Sequence, residues 1–118
     1  MSSIRNSIQL IGNLGRDPEI RVLNGGRKVG QVSIATSDVF KDDKGEFQQR
    51  TQWHNLVAWG HQAEYLEKYL HKGSFIGIRG KLTHRSYESK EGKKTLRTEV
   101  IVNEFVPFGS RSEKNLAF

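Results

Sequence analysis

The sequence of 118 residues contains no cysteine and no long apolar run. The absence of cysteine excludes a disulfide framework, a thiolate zinc site and a cysteine nucleophile. No stretch approaches the ~18 apolar residues of a membrane span, and the N-terminal MSSIRNSIQL lacks the apolar segment of a signal peptide. We therefore expect a cytoplasmic protein with no membrane partner.

The sequence also lacks the motifs of the common catalytic centres. Its four histidines form neither an HExxH motif nor an i,i+4 pair, and no phosphate-binding P-loop is present. Four carboxylates fall in predicted turns or loops, where such groups are usually solvated: Asp17, Glu19, Asp42 and Asp43. We expect no metal site, no cofactor and no enzymatic activity, with a metal-dependent nuclease as the alternative from a different class.

Positive charge is what the sequence has in excess. The chain carries 19 Lys and Arg residues against 13 Asp and Glu residues, which gives a formal net charge of +6. A field of this sign favours polyanions or anionic lipid. Because no basic amphipathic helix is present to lie on a membrane, nucleic acid is the favoured class of partner.

Glycine-punctuated segments with strand character make up most of the chain. They cover residues of about 4–14, 28–38 and 47–59, and the NGG after EIRVL is a strong hairpin signal. The later segments SFIGIRGKL and TLRTEVIVNEF are also strand-like. Alternation in SFIGIRGKL predicts that Ile78 and Leu82 both point inwards.

A single helix interrupts the strands. HQAEYLEKYLHKG carries apolar residues at helical spacing, and Gly73 stands where a helix C-cap belongs. Five strands with one helix between the third and the fourth is the order of an OB-fold, an all-β Greek-key barrel that binds oligonucleotides or oligosaccharides. We predict one such domain over residues 1–108, followed by a short tail over residues 109–118.

Both tryptophans lie in one short segment, TQWHNLVAWG. Side chains alternate along a strand, so Trp53, Asn55 and Trp59 share one face, whereas His54 and Leu56 face the barrel interior. The indoles would lie ~20 Å apart at roughly 3.3 Å per residue. They either pack or hold separate bases, since a base stacked on an aromatic ring contributes about 1–3 kcal/mol whatever the sequence.

Two predicted hairpin tips combine an aromatic ring with cations. Phe40 opens the loop FKDDKGEF beside Lys41 and Lys44, and Tyr87 lies beside Arg85 at the edge of HRSYESKEGKK. Rings hold bases and cations hold phosphates, so both parts of an unpaired strand have a partner. The combination favours a binder of single-stranded nucleic acid over a protein whose aromatic residues only pack.

Five segments carry a family resemblance. In order and spacing, IGNLGRDPEIR, VSIATSDVF, TQWHNLVAWG, YLHKGSFIGIRGKL and TEVIVNEF resemble the bacterial single-stranded DNA-binding proteins, over residues of about 6–105. The resemblance implies a homotetramer of OB-folds that binds single-stranded DNA without sequence preference. It also implies a role in DNA replication, repair and recombination, in the cytoplasm at the nucleoid.

The resemblance further implies roles for individual residues. The stacking aromatics would be Phe40, Trp53, Trp59 and Tyr87. The other contacts to DNA would be Arg21, Lys41, Lys44, Asn55, Lys72 and Arg85, although Asn55 stands where some relatives carry a cation. The subunit interface would include Asn6, Ile8, Leu10 and His54, with the first strand pairing with its counterpart across a dimer. His54 has a second reading, as a packing residue of its own subunit.

Relatives commonly end in a Gly/Pro/Gln-rich linker and an acidic tip that recruits other proteins. This sequence ends in EKNLAF, so we do not expect recruitment through an acidic tip. Two alternatives also bind nucleic acid. One is an OB-fold accessory protein of the replication-restart primosome, which binds DNA and protein partners, and the other is an RNA-binding module.

Overall fold

The computed structural model describes residues 4–108, without the side chains of Ile4 and Tyr87. The predicted tail over residues 109–118 lies outside the described residues. A 3₁₀ turn over Ile4–Asn6 comes first, where the sequence predicted a strand. The elements that follow are β1 (Ile8–Leu14), β2 (Glu19–Val22), β3 (Lys28–Lys41), β4 (Phe47–Trp59), α1 (His61–Tyr69), β5 (Phe75–Glu88) and β6 (Lys94–Pro107).

The strands form a closed barrel with one added strand. Their order is β1-β5-β6-β4-β3-β2, and a further pairing of β1 with β3 closes the ring. β2 pairs with β3 and lies outside the closed set. The barrel therefore has five strands, and α1 lies between the third, β4, and the fourth, β5. This confirms the predicted OB-fold.

Three hairpin turns share one geometry. In each turn the N–H of the first residue donates to the carbonyl four residues later, and the fourth residue is a glycine. These are Gly26, Gly45 and Gly92, with φ of 81°, 80° and 81°. Because L side chains rarely adopt this conformation, glycine fixes the turn. The hairpin predicted from NGG is confirmed.

Apolar residues from all five barrel strands and from α1 form the core. Ile34, Leu56 and Ile76 are among the wholly buried strand residues, and Ala63 and Leu66 of α1 have no exposed surface. Alternation of apolar and polar residues along each strand produces this core. The short α1 is also too small to span a bilayer, and no other helix among residues 4–108 could do so.

Two local details of the structure differ from the expectations. Leu82 is 37 % exposed, although it lies opposite the core residue Val100, since the hairpin of β5 and β6 leaves the packed barrel at about this residue. Gly73 does not cap the helix, since the C-cap is Leu70. Gly73 instead has a φ of 89° in the turn that leads into β5.

Candidate nucleic-acid interface

The outer face of β4 carries the two tryptophans. Trp53 is 62 % exposed, and Asn55 and Trp59 are half-buried on the same face. Val57 on this face is buried, which the alternation did not predict. β4 has a neighbouring strand on each side, β3 and β6, so larger side chains can cover the small valine. The face is therefore an apolar surface with an exposed indole at one end.

The indole of Trp53 rests against Gly15, in the loop after β1. A Cβ built on Gly15 would lie 2.2 Å from Cζ3 and 2.9 Å from Cη2 of the indole. Ordinary carbon contacts are ~3.5–4.0 Å, so no larger residue fits at this place without moving the ring. An indole supported on one side and largely exposed elsewhere has the geometry of a stacking surface for a base.

Trp59 lies close to a guanidinium group. Cζ of Arg27 is 4.5 Å from the centroid of the indole, within the range of a cation–π contact. Arg21 is on the same face, since it lies opposite Val29, which in turn lies opposite Trp59. The face around Trp59 can therefore offer a ring to a base and guanidinium groups to phosphates.

β3 and β4 continue beyond the barrel as an exposed hairpin, residues 38–50, which we call the β3–β4 arm. Phe40 in this arm is 39 % exposed, and Cζ of Arg50 lies 4.7 Å from the centroid of its ring. Phe40 pairs with Gln48, an even-numbered position of β4, whereas the tryptophans occupy odd-numbered ones. Alternation therefore places Phe40 on the opposite face of the hairpin from the tryptophans.

Asp42 holds the tip of the β3–β4 arm together. Its carboxylate accepts the backbone N–H groups of Lys44 and Glu46 at 2.9 Å each and Nε2 of Gln48 at 3.0 Å. These bonds, the one from Glu46 first, hold the pKa of Asp42 below its usual value. Lys41 and Lys44 are exposed at this tip, so a hydrogen-bonded turn presents both predicted phosphate contacts.

The hairpin of β5 and β6, residues 82–98, is a second largely exposed arm. Nη1 of Arg85 lies 3.5 Å from Oε1 of Glu99, and Nε of Arg97 lies 3.8 Å from Oε2. Glu99 is 1 % exposed, and its carboxylate accepts no hydrogen bond within the described part of the chain. Opposite charge therefore compensates the buried carboxylate. Tyr87 belongs to this arm by its backbone.

The two arms meet on one outer face of the barrel. β4 and β6 run parallel with Leu56 beside Val100, and both of these side chains are in the core. The neighbouring positions Asn55 and Glu99 therefore point outwards. The face that carries Trp53 continues into the arginines around the buried carboxylate. Trp53, Asn55 and Arg85 thus belong to one surface.

Lys72 lies in the turn between α1 and β5. Its backbone N–H donates to Oδ1 of Asp17 at 2.8 Å, and the N–H of Gly73 donates to the carbonyl of Leu14 at 2.9 Å. Leu14 precedes Gly15, the residue that supports the indole, and Asp17 follows it by two positions. The exposed Lys72 is therefore at the end of the barrel where Trp53 lies.

Two of the predicted interface residues have partners within the chain. The side-chain amide of Asn6 donates to the carbonyl of Leu82 and accepts the N–H of the same residue, at 2.9 Å each. Nε2 of the half-buried His54 lies 2.9 Å from Oγ1 of Thr36. These bonds hold both side chains within the chain, and their role in a subunit interface stays a prediction.

The other two predicted interface residues lie on an open strand edge. β1 pairs with β5 from Ile8 to Asn13, but with β3 only at its last two residues. Ile8 and Leu10 are half-buried against the core. Within residues 4–108, no strand pairs with the second edge of β1 before Asn13, and such an edge can template a further strand.

A model of the single-strand binding protein family matches residues 5–108. The chain belongs to this family. It is 41 % identical over 111 residues to single-stranded DNA-binding protein 1 of Xylella fastidiosa, covering 93 % of the chain and 82 % of that protein. It is 36 % identical over 110 residues to the single-stranded DNA-binding protein of Neisseria meningitidis, of which it covers 63 %.

Solved structures of family members have the same fold. The Plasmodium falciparum SSB in complex with ssDNA matches with a TM-score of 0.83 and 31 % identity, over 92 % of this chain and 98 % of that one. A deletion mutant of the single-stranded DNA-binding protein from Thermus aquaticus matches with a TM-score of 0.80 and 30 % identity. The chain covers 90 % of its own length and 51 % of the Thermus chain in that comparison.

The sequence did not reveal several residues on or beside the exposed rings of this family member. Phe47 occupies an odd-numbered position of β4, as Trp53 and Trp59 do. Extending the alternation six residues back from Trp53 would have identified it. Arg27 and Arg50 become evident only through their contacts with rings. These contacts depend on turn geometry and cross-strand register, which the sequence does not display.

Proposed function

We propose that this chain binds single-stranded DNA without sequence preference and serves DNA replication, repair and recombination. The observation that carries the proposal is the indole of Trp53, supported by Gly15 and 62 % exposed beside a cationic face. The family membership supports it, as does the likeness to an SSB in complex with ssDNA. The activity is binding, and no chemical step is proposed.

The mechanism adds two independent contributions. Cationic side chains neutralise phosphates and release the counterions of the strand. Exposed rings stack with bases, each contributing about 1–3 kcal/mol. We assign stacking to Phe40, Trp53, Trp59 and Tyr87. We assign the polar and phosphate contacts to Arg21, Lys41, Lys44, Asn55, Lys72 and Arg85. Duplex DNA binds poorly in this scheme because its bases already stack on one another.

We further propose a homotetramer that acts in the cytoplasm at the nucleoid. The open edge of β1 supports pairing of two copies through this strand, with Asn6, Ile8, Leu10 and His54 near the contact. Such pairing would satisfy the unpaired backbone groups of β1. Light scattering should give the mass of four chains, and a dimer would instead favour an accessory protein of the primosome.

A fluorescence titration of the tryptophans tests the binding. Single-stranded oligo(dT) should quench the emission and a duplex of the same length should not. The affinity should fall with salt with a log–log slope of about −0.7 per phosphate neutralised. Trp53→Ala should weaken binding by roughly 1–3 kcal/mol, whereas Trp53→Phe keeps a ring and should retain most of it. An unaffected Trp53→Ala protein that is still folded would contradict the proposal.

Assays with single-stranded oligonucleotides also separate the alternatives. Oligo(U) in place of oligo(dT) should bind more weakly if the chain is a DNA binder rather than an RNA-binding module. Labelled single strands incubated with Mg²⁺ should remain uncut. No three or more His, Asp or Glu side chains within residues 4–108 form a group that could hold a metal ion, and cleavage would favour the nuclease alternative.

A further inference from the structure

Phe47 at the outer end of the β3–β4 arm is not part of the hydrophobic core. It is 75 % exposed, more than any other large apolar side chain among those described. A phenylalanine left in water gives up the ~1.5–3 kcal/mol that burial of its side chain would contribute. The position of this ring is therefore not explained by the stability of the chain.

The ring of Phe47 lies in line with the two tryptophans. β3 and β4 pair without a register shift from Val29 opposite Trp59 to Lys41 opposite Phe47, so alternation holds along the whole of β4. Positions 47, 53 and 59 therefore share one face. They are spaced ~20 Å apart and together span ~40 Å. The right-handed twist of the hairpin turns this row gradually around the arm.

A cation and a constrained turn accompany the ring. Nζ of Lys41 lies 5.9 Å from the centroid of Phe47, which leaves the ammonium group free to reach a phosphate beside a stacked base. The turn next to the ring is fixed by the hydrogen bonds that the carboxylate of Asp42 accepts. Such fixed geometry lowers the entropy that binding must remove.

We infer that Phe47 is a further stacking site for single-stranded DNA, which extends the bound strand from the barrel onto the β3–β4 arm. The inference rests on the proposed function. Its occupant is a base of the strand that contacts Trp53 and Trp59, because the three rings share one face of β4. The adjacent Lys41 matches a phosphate and gives no reason for an apolar protein partner.

Phe47→Ala tests the inference, with Val39→Ala as the matched control. Val39 is 68 % exposed and lies on the same face of the arm, opposite Gln49, but it has no ring. Binding is measured by tryptophan quenching with oligo(dT) of ~5 and of ~16 nucleotides, the range of site sizes for an OB-fold. The short oligonucleotide reports the tryptophan region, and the long one can reach the arm.

Phe47→Ala should weaken binding of the long oligonucleotide by about 5- to 10-fold, the lower part of the range for one stacked base. Its affinity for the short oligonucleotide should be unchanged. Phe47→Trp should restore the affinity, and Val39→Ala should have no effect on either length. These results together establish a base-stacking site that lies beyond the tryptophans.

Three results would overturn the inference. They are an unchanged affinity of Phe47→Ala for the long oligonucleotide, an equal loss for both lengths, and an equal loss in Val39→Ala. The first would show that no base stacks on Phe47. Failure of the proposed function is recognised separately, because the unsubstituted protein would then bind neither oligonucleotide.

Discussion

Replacing Gly15 by alanine is expected to weaken DNA binding while the chain remains folded. Gly15 has no positive φ, so alanine adopts its backbone conformation without strain, and the bond from its N–H to the carbonyl of Ser33 is kept. The new Cβ would lie 2.2 Å from Cζ3 of Trp53. This distance is ~1 Å shorter than an ordinary contact between two carbon atoms, so the exposed indole must move.

The magnitude follows from the loss of one stacking surface. A base that no longer stacks on Trp53 costs about 1–3 kcal/mol, which is about 5- to 150-fold in Kd. The assay is the oligo(dT) titration, read by fluorescence anisotropy of a labelled oligonucleotide because the substitution alters the indole itself. A thermal melt of Gly15→Ala controls for unfolding.

A double-mutant cycle separates support of the ring from other effects of the alanine. If Gly15 acts through Trp53, then Gly15→Ala adds nothing in the Trp53→Ala background, and the double variant binds as Trp53→Ala does. An additive loss would refute the reasoning, since the alanine would then disturb another contact. So would unchanged affinity of the single variant Gly15→Ala.

Two further predictions concern the arm and the barrel. The hydrogen bonds to Asp42 hold its pKa below the usual 3.8. The turn is therefore fully stabilised above about that pH and loses this stabilisation as the pH falls through the lower folded pKa. The amide NMR signals of Lys44 and Glu46 should report this transition below pH 3.8, and the transition should be absent in Asp42→Asn. A Cβ on Gly12 would lie 1.9 Å from the carbonyl oxygen of Ala35. Gly12→Ala should therefore destabilise the barrel by about 1–3 kcal/mol. An unchanged melting temperature would contradict this close approach of β1 and β3.

The sequence predicts the barrel because the barrel depends on local rules. Alternation along each strand determines which residues enter the core, and glycines such as Gly26 and Gly45 determine where hairpins turn. The helix is recognisable from apolar spacing that brings Ala63 and Leu66 onto one face. These signals lie within a few residues of the structures they produce, so a single sequence is sufficient to detect them.

The candidate site is less predictable because its contacts are not local. Gly15 supports Trp53 across 38 positions of sequence, and no periodicity relates them. Alternation places Leu82 on the same face as the core residue Ile78, but it does not show that β5 leaves the packed barrel near Leu82. Phe40 was grouped with the tryptophans, yet the register of β3 against β4 places it on the other face of the hairpin.

The rings of the outer surface differ in how much a base can gain from them. Trp59, Phe40 and Phe47 each have the cationic group of an arginine or a lysine within 6 Å of the ring centroid. An exposed cation–π contact contributes about 0.5–1 kcal/mol. When a base displaces the cation, the cation–π contact is lost and the net gain from stacking is smaller by that amount. The displaced cation can then bind a phosphate. No cation among the described residues lies over Trp53, which instead rests on an uncharged glycine backbone. Stacking on Trp53 therefore has no such contact to replace, and the DNA-binding proposal depends on this ring more than on any other.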